Sequence, residues 1–180
     1  MERTFENDHV RIVRVILKRG QDAPVYSPAA KTMVRIQLTD GAVRGRILFS
    51  YDGWPEKANV PIDEDIDEIR VELKAPVKSR PMELDAVKVD PSRYKIVLEN
   101  DLVRVVRLRF EGHESGLMVT HPPRVLTTLT NVQVKLLFGD GRREERGAPA
   151  GVAAWLEEET LQTENARDEP LEVVLVEPKG

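Results

Sequence analysis

Three histidines, His9, His113 and His121, are the only imidazoles in a 180-residue chain that contains no cysteine. Thiolate catalysis, disulfides and cysteine–zinc sites are therefore excluded. A catalytic metal site generally needs three protein ligands, most often histidines with a carboxylate. A three-histidine site would have to recruit every imidazole in the chain. Serine hydrolase chemistry asks for a histidine partner and a Gly-x-Ser-x-Gly elbow, and no such stretch occurs. The run Asp63-Glu64-Asp65-Ile66-Asp67-Glu68 has the alternating carboxylates of a calcium loop. Its sixth position, however, is Glu68 instead of glycine, and its twelfth is Lys74 instead of glutamate. It reads as a solvated acidic loop or a strand edge where charge discourages pairing. Glu157-Glu158-Glu159 reads as a charged turn. Gly139-Asp140-Gly141 lacks the third glycine and following helix of a phosphate cradle, and is a hairpin signal instead.

The remaining composition narrows the class further. Twenty-seven basic residues against 31 acidic ones give a net charge of −4, which argues against a general nucleic-acid binder. Apolar runs are only a few residues long, far short of the roughly 20 that span a bilayer. The opening MERTFENDHV has no apolar signal core, so the expected compartment is cytoplasmic. A chain of this length makes one large domain or two small ones.

The elements that must position any site repeat along the chain. Glu6-Asn7-Asp8 with Val10-Arg11 and Val13-Arg14 returns as Glu99-Asn100-Asp101 with Val103-Arg104 and Val106-Arg107, an offset of 93 (99 less 6). Leu38-Thr39-Asp40 is answered by Leu129-Thr130-Asn131 at an offset of 91 (129 less 38). Two matched pairs in one order indicate duplication; chance likeness between strand-rich segments is the alternative. Residues 75–93 carry Pro76, Pro81 and Pro91 among charged residues, which predicts a connecting segment. Near-alternation of β-branched residues predicts strands over 10–17, 33–38, 43–49, 69–73, 94–98, 103–110, 124–129, 132–138 and 171–176. By propensity alone, Ala153 to Asp168 would be helix.

Repeat spacing, strand pattern and closing segment together resemble the cupin superfamily of small antiparallel jelly-roll barrels. The likeness is clearest in Glu99-Asn100-Asp101-Leu102-Val103-Arg104-Val105-Val106-Arg107 and in the close from Asn165 to Lys179. The resemblance implies an all-β fold of two tandem cupin-like jelly-roll β-barrels (double-stranded β-helices). The barrels would occupy 1–74 and 94–180, joined by a 75–93 linker, with 153–168 as strand–turn–strand. Metal-binding cupins present His-x-His and then a glutamate on one strand, and a third histidine four residues before an asparagine on another. Alternate residues of a strand share a face, so the paired imidazoles point into the barrel. On that pattern His121 matches the second histidine, Val119 stands on the first, and Val125 or Leu126 on the glutamate. Leu161 stands on the third histidine; Gly151 and Asn165 match, while Glu157 and Glu159 replace the usual proline and glycine. In the first half the same positions hold Tyr26 and Pro28.

The resemblance thus implies a degenerate cupin with no metal and no cofactor, non-catalytic, serving small-molecule binding or interaction. Its ligand-pocket candidates are His121, Val119, Leu161, Tyr26 and Trp155, with Trp54 as a further aromatic; buried aromatics are also ordinary core. The alternative is a metal-dependent dioxygenase or isomerase working on a small organic molecule through His121 with oxygen ligands. A sugar or small-acid sensor using arginines and Tyr26 is a third reading. His113, in a polar loop, reads as solvent-exposed, and His9 has Leu102 at its repeat position. The expected partners are a small molecule, no nucleic acid and no membrane. The expected assembly is a monomer with an internal pseudo-dimer, or a homodimer.

Overall fold

Valines and isoleucines alternating with arginines make two long strands with the same buried positions, Val10–Leu17 (β2) and Val103–Phe110 (β7). The computed structural model describes residues 2–21, 28–41, 43–50, 63–78 and 81–180. They divide into two units, Met1–Pro76 and Val77–Gly180. In the first, β1 (Glu2–Glu6), β2, β3 (Met33–Gln37), β4 (Ile47–Ser50) and β5 (Ile66–Leu73) form one antiparallel sheet in the order β1-β2-β5-β3-β4.

The second unit has two sheets. Tyr94–Glu99 (β6), β7, Arg124–Thr128 (β9), Ala153–Leu156 (β12) and Leu171–Pro178 (β14) make the order β12-β9-β14-β7-β6. Val119–His121 (β8), Val132–Phe138 (β10), Arg143–Ala148 (β11) and Glu159–Asn165 (β13) make the order β11-β10-β13-β8. Phe110, Val106, Leu136, Phe138, Leu161 and Leu175 belong to one buried cluster of the unit, each large side chain contributing about 1.5–3 kcal/mol by leaving water. The predicted hairpin forms at Asp140-Gly141, with Gly141 at φ 87°. Gly112 is required where its loop passes the turn after β13, because a Cβ there would lie 2.0 Å from the Asp168 carbonyl oxygen. Asn165 ties the same turn, donating from Nδ2 to the carbonyls of Glu111 and Glu169.

The five-stranded sheets repeat each other strand for strand. Asn7 Oδ1 accepts from the amides of His9 and Val10, as Asn100 Oδ1 does from Leu102 and Val103. A register shift breaks β1 against β2 between Arg3 and Phe5, and β6 against β7 between Ile96 and Leu98. Arg11 pairs with Glu72 and Arg14 with Asp67; Arg104 pairs with Glu177 and Arg107 with Glu172. In β3 and β9 the equivalence runs at 91 residues, since Val34 faces Val71 as Val125 faces Val176.

Three details bear on the sequence-based expectation. Residues 153–168 are strand–turn–strand, as the family resemblance implied and propensity did not: β12 and β13 each pair with a neighbour whose register supplies their hydrogen bonds. The predicted connecting segment is partly structured, with a helix at Ala86–Val89 (α1) capped by Asp85, whose carboxylate accepts from the Val87 amide. Strands β1 and β11 were not predicted; both are rich in charged residues, and cross-strand pairing forms them, not apolar alternation. Strand β8 carries the Val119 and His121 that the resemblance placed on one strand. Among the described residues no helix is long and apolar enough to cross a membrane.

Candidate functional site

Pairing of β8 with β13 sets the site. His121 lies opposite Glu159, and Val119 lies opposite Leu161. Residues facing each other across a ladder share a face, so three of the positions the resemblance matched to ligand positions, Val119, His121 and Leu161, form one patch. Val119 and Leu161 are buried in the apolar core. His121 is 3% exposed, and its ring lies 5.4 Å from that of Tyr94, with Nε2 3.5 Å from the phenol oxygen. Its Nδ1 is buried without a hydrogen-bond partner.

Three residues past the end of β8, Arg124 opens β9 and is also buried. Its terminal nitrogens donate to the carbonyl oxygens of Pro122 and Glu157 and, at 3.0 Å, to Glu159 Oε2, while Nε has no partner. Arg146 of β11 donates to Glu159 Oε1, also at 3.0 Å. Glu159 is thus held between two guanidiniums. Burial alone would raise its carboxyl, but the hydrogen bonds and charges of Arg146 and Arg124 outweigh that and hold it below the ordinary carboxylate range. Burial, with the charges of Arg124 and Arg104, pushes His121 well below its ordinary value, so the ring is neutral at pH 7. Burial pushes the Tyr94 phenol up, which keeps its proton in place. Behind this layer Arg104 bridges Glu177 at 2.5 Å and Asp85 at 2.8 Å.

His121, Arg124, Arg146 and Glu159 stand at the polar end of a cavity of about 230 Å³ in the second unit. Leu108, Leu126, Leu136, Val173 and Leu175 supply much of its apolar wall, with Thr128 and Thr163 as further polar groups. The period of two decides who reaches it. Ala154 and Leu156 line the cavity, whereas Trp155 between them does not; its indole N–H donates to Glu157 at 2.6 Å. Val119, enclosed in the core, is likewise not part of the lining, while Leu161 is. Tyr26 and Trp54 lie outside the described residues. His113 is in an exposed loop, 2.7 Å from Asp168. The carboxylates of the 63–68 run are dispersed, Asp65 to Lys18, Asp67 to Arg14 and Glu68 to Arg35 and Arg70. Among the described residues no three His, Asp or Glu side chains converge to hold a metal ion.

Sequence reasoning missed Arg124, Arg146 and Tyr94. Arg124 carried a signal, since alternation places it on the face of Leu126 and Thr128. Glu159 was read as part of a charged turn but begins β13.

No known family's sequence profile matches the chain, and no curated protein matches it. Its likeness is to solved structures. An oxalate decarboxylase aligns with a TM-score of 0.60 at 11% identity, over 96% of this chain and 69% of that one. A Bacillus subtilis oxalate decarboxylase variant aligns at 0.55 and 11% identity, with the same coverage. A Bordetella pertussis cupin domain aligns at 0.45 and 20% identity, over 48% of this chain and 92% of its own. The chain has the fold of the cupin superfamily.

Proposed function

We propose that the protein consists of two tandem cupin-type units and that the second binds a small, largely apolar molecule without metal and without catalysis. The observation that carries this is the content of the four matched positions. Val119 and Leu161 bring no donor, Val125 and Leu126 no carboxylate, and His121 is left alone beside a cation, Arg124. Glu159, the one carboxylate opposite His121, has both oxygens engaged by guanidiniums. A divalent ion there would have to displace two charge-assisted hydrogen bonds and then face two positive neighbours. These donors do not fit a metal.

The cavity supports the binding half of the proposal. An apolar protein cavity of about 150 Å³ stays dry and takes up benzene; this one is larger, with leucine and valine over most of its wall and His121, Arg124, Arg146 and Glu159 at one end. Fold likeness alone does not transfer a reaction. Oxalate, after which the structural neighbours are named, is a small dianion without the apolar surface this wall would bury.

Elemental analysis after expression in metal-supplemented medium and dialysis tests the metal half. Less than one-tenth equivalent of manganese, iron, nickel or zinc per chain is expected. One equivalent that is lost in His121→Ala would overturn the proposal in favour of a metal enzyme. The converse variant, Val119→His with Leu161→His, places three imidazoles on adjacent ladder positions and is expected to gain metal affinity where the native chain has none. If it folds and gains none, these four positions are not the site.

A further inference from the structure

A second cavity of the same unit has a floor that lacks one partner. It measures about 400 Å³ and shares no lining residue with the apolar one. Alternation along β7 and β14, which turns Leu108 and Leu175 to the apolar cavity, places Arg104 and Glu177 on the same strand faces further along, where they line this one. Pro81, Met82, Pro122 and Pro178 supply apolar wall, and Lys88 stands exposed among the lining. We infer that this cavity binds a primary ammonium, taken by Glu177, with a short apolar chain behind it.

Internal duplication shows what is missing. Arg104 lies opposite Glu177 as Arg11 lies opposite Glu72. In the first unit both oxygens of Glu72 are engaged, Oε1 by Arg11 at 2.9 Å and Oε2 by the Ala29 amide at 2.6 Å. In the second, Arg104 Nε donates to Glu177 Oε2, and Oε1 has no donor among the described residues. The sequence gives the reason. At the offset of 93, Ala29 corresponds to Pro122 (29 plus 93), which has no N–H and lines the cavity. At the offset of 91 it corresponds to Thr120 (29 plus 91), whose amide donates to the Leu84 carbonyl instead. Glu177 is 4% exposed, yet Oε1 is not sealed off: it keeps a small accessible surface in a residue that lines this cavity and no other described one. A ligand N–H reaches it where the first unit uses its own chain.

Charge decides between an amide and an ammonium. Arg104 serves two carboxylates, Glu177 and Asp85, whose side chains are 5% and 10% exposed. The buried floor is thus one cation short. Burial, with the nearby charge of Asp85, raises the Glu177 carboxyl against the pull of Arg104 and Arg124, so the floor favours one more positive charge. Lys179 is matched by Glu99, and Lys88 stands on the rim, where solvent and salt screen it. A ligand carboxylate would approach two buried anions. An ammonium completes the floor, and its charge-assisted hydrogen bond is roughly twice as strong as a neutral one.

The test uses the full chain at pH 7.5 and three probes of equal length, n-butylammonium, butyramide and butyrate. Isothermal titration gives the affinities, with ligand-observed NMR for weak binders. Butylammonium is expected to bind at least tenfold more tightly than the other two. Glu177→Gln is expected to weaken it tenfold or more and leave butyramide binding unchanged. Met82→Trp fills the cavity from the segment before α1 and is expected to abolish butylammonium binding, and it serves if Glu177→Gln fails to fold. Lys88→Met removes the rim charge and is expected to strengthen butylammonium binding up to threefold. Butyramide or butyrate binding as tightly as butylammonium overturns the inference. So does native affinity in Glu177→Gln or Met82→Trp, weaker binding in Lys88→Met, or no butylammonium binding at 20 mM. None of these outcomes bears on the apolar cavity, whose lining the variants leave intact.

Discussion

The two five-stranded sheets have the same strand order, the same register break and the same ion pairs, yet their inward faces differ in kind. In the second unit that face carries Leu126, Val173 and Leu175, and it lines an apolar cavity. The register equivalents in the first unit are Arg35, Glu68 and Arg70, joined by ion pairs of 2.6–2.7 Å, with Glu68 and Arg70 at most 1% exposed. The connection explains the difference. Between β9 and β12 the second unit inserts the β10–β11 hairpin, whose Val132, Val134 and Leu136 form the facing wall. Between β3 and β4 the first unit has only residues 38–46, closed by hydrogen bonds between Gln37 and both Gly45 and Arg46. Among the described residues the first unit has no counterpart of that hairpin, and a carboxylate flanked by two guanidiniums satisfies its face instead.

The largest effect expected from this comparison lies in that charged face. Glu68→Gln removes the carboxylate that Arg35 and Arg70 share and is expected to cost about 3–5 kcal/mol, because it breaks the buried Glu68–Arg70 ion pair. Replacing the set with the second unit's residues, Arg35→Leu, Glu68→Val and Arg70→Leu together, is expected to recover more than half of that, since apolar groups of similar volume substitute well for a buried ion cluster. Urea unfolding of the full chain reads both. A triple variant as unstable as the single one would show that the two faces are not interchangeable and that the charges have another role.

Much of this contrast could be read before any coordinates. The offsets of 93 and 91 are those that β2–β7 and β3–β9 adopt, because a period-two pattern and an Asn turn reveal themselves locally. Val119 and Leu161 fell on ladder partners because the family spacing encodes register. The polar end of the cavity was less legible. Arg124, Arg146 and Glu159 come from three strands whose pairing is long-range, and nothing local distinguishes a buried arginine from a solvated one. Trp155 shows the opposite failure, an aromatic residue that invites a pocket reading but alternates onto the face away from the cavity.

The second effect is a pH dependence that belongs to the second unit. His121 titrates near 6.5 in the unfolded chain and well below that when folded, through burial and the nearby cations Arg124 and Arg104, with Tyr94 and Glu159 as its other polar neighbours. Below the unfolded value the unfolded chain binds a proton that the folded chain refuses. The histidine's contribution is therefore whole above about pH 6.5 and is lost as the pH falls towards the folded value, at up to about 1.4 kcal/mol per pH unit. Between pH 6.5 and 5 the native chain should lose about 1–2 kcal/mol more than His121→Leu. Parallel stability curves over that interval would mean that the folded ring titrates normally, and the contrast with the first unit would lose its electrostatic side.

The smallest effect tests whether the shared features are energetically shared. Lys74 pairs with Glu6, and its repeat equivalent Lys179 pairs with Glu99, both at 2.8 Å and both partly open to solvent. Each strand end is also closed by a backbone hydrogen bond, from Lys74 to His9 and from Lys179 to Leu102. Pairs of this exposure contribute roughly 0.2–1 kcal/mol, and screening reduces that further at high salt. Double-mutant cycles with Lys74→Met/Glu6→Gln and Lys179→Met/Glu99→Gln should therefore give coupling energies within a few tenths of a kcal/mol of each other, both shrinking in 1 M sodium chloride. A cycle is needed because single truncations also remove the lysine stem's packing. A coupling well above 1 kcal/mol in one unit with none in the other would mean that duplicated geometry has not kept duplicated energetics even at the positions where the two sheets look most alike.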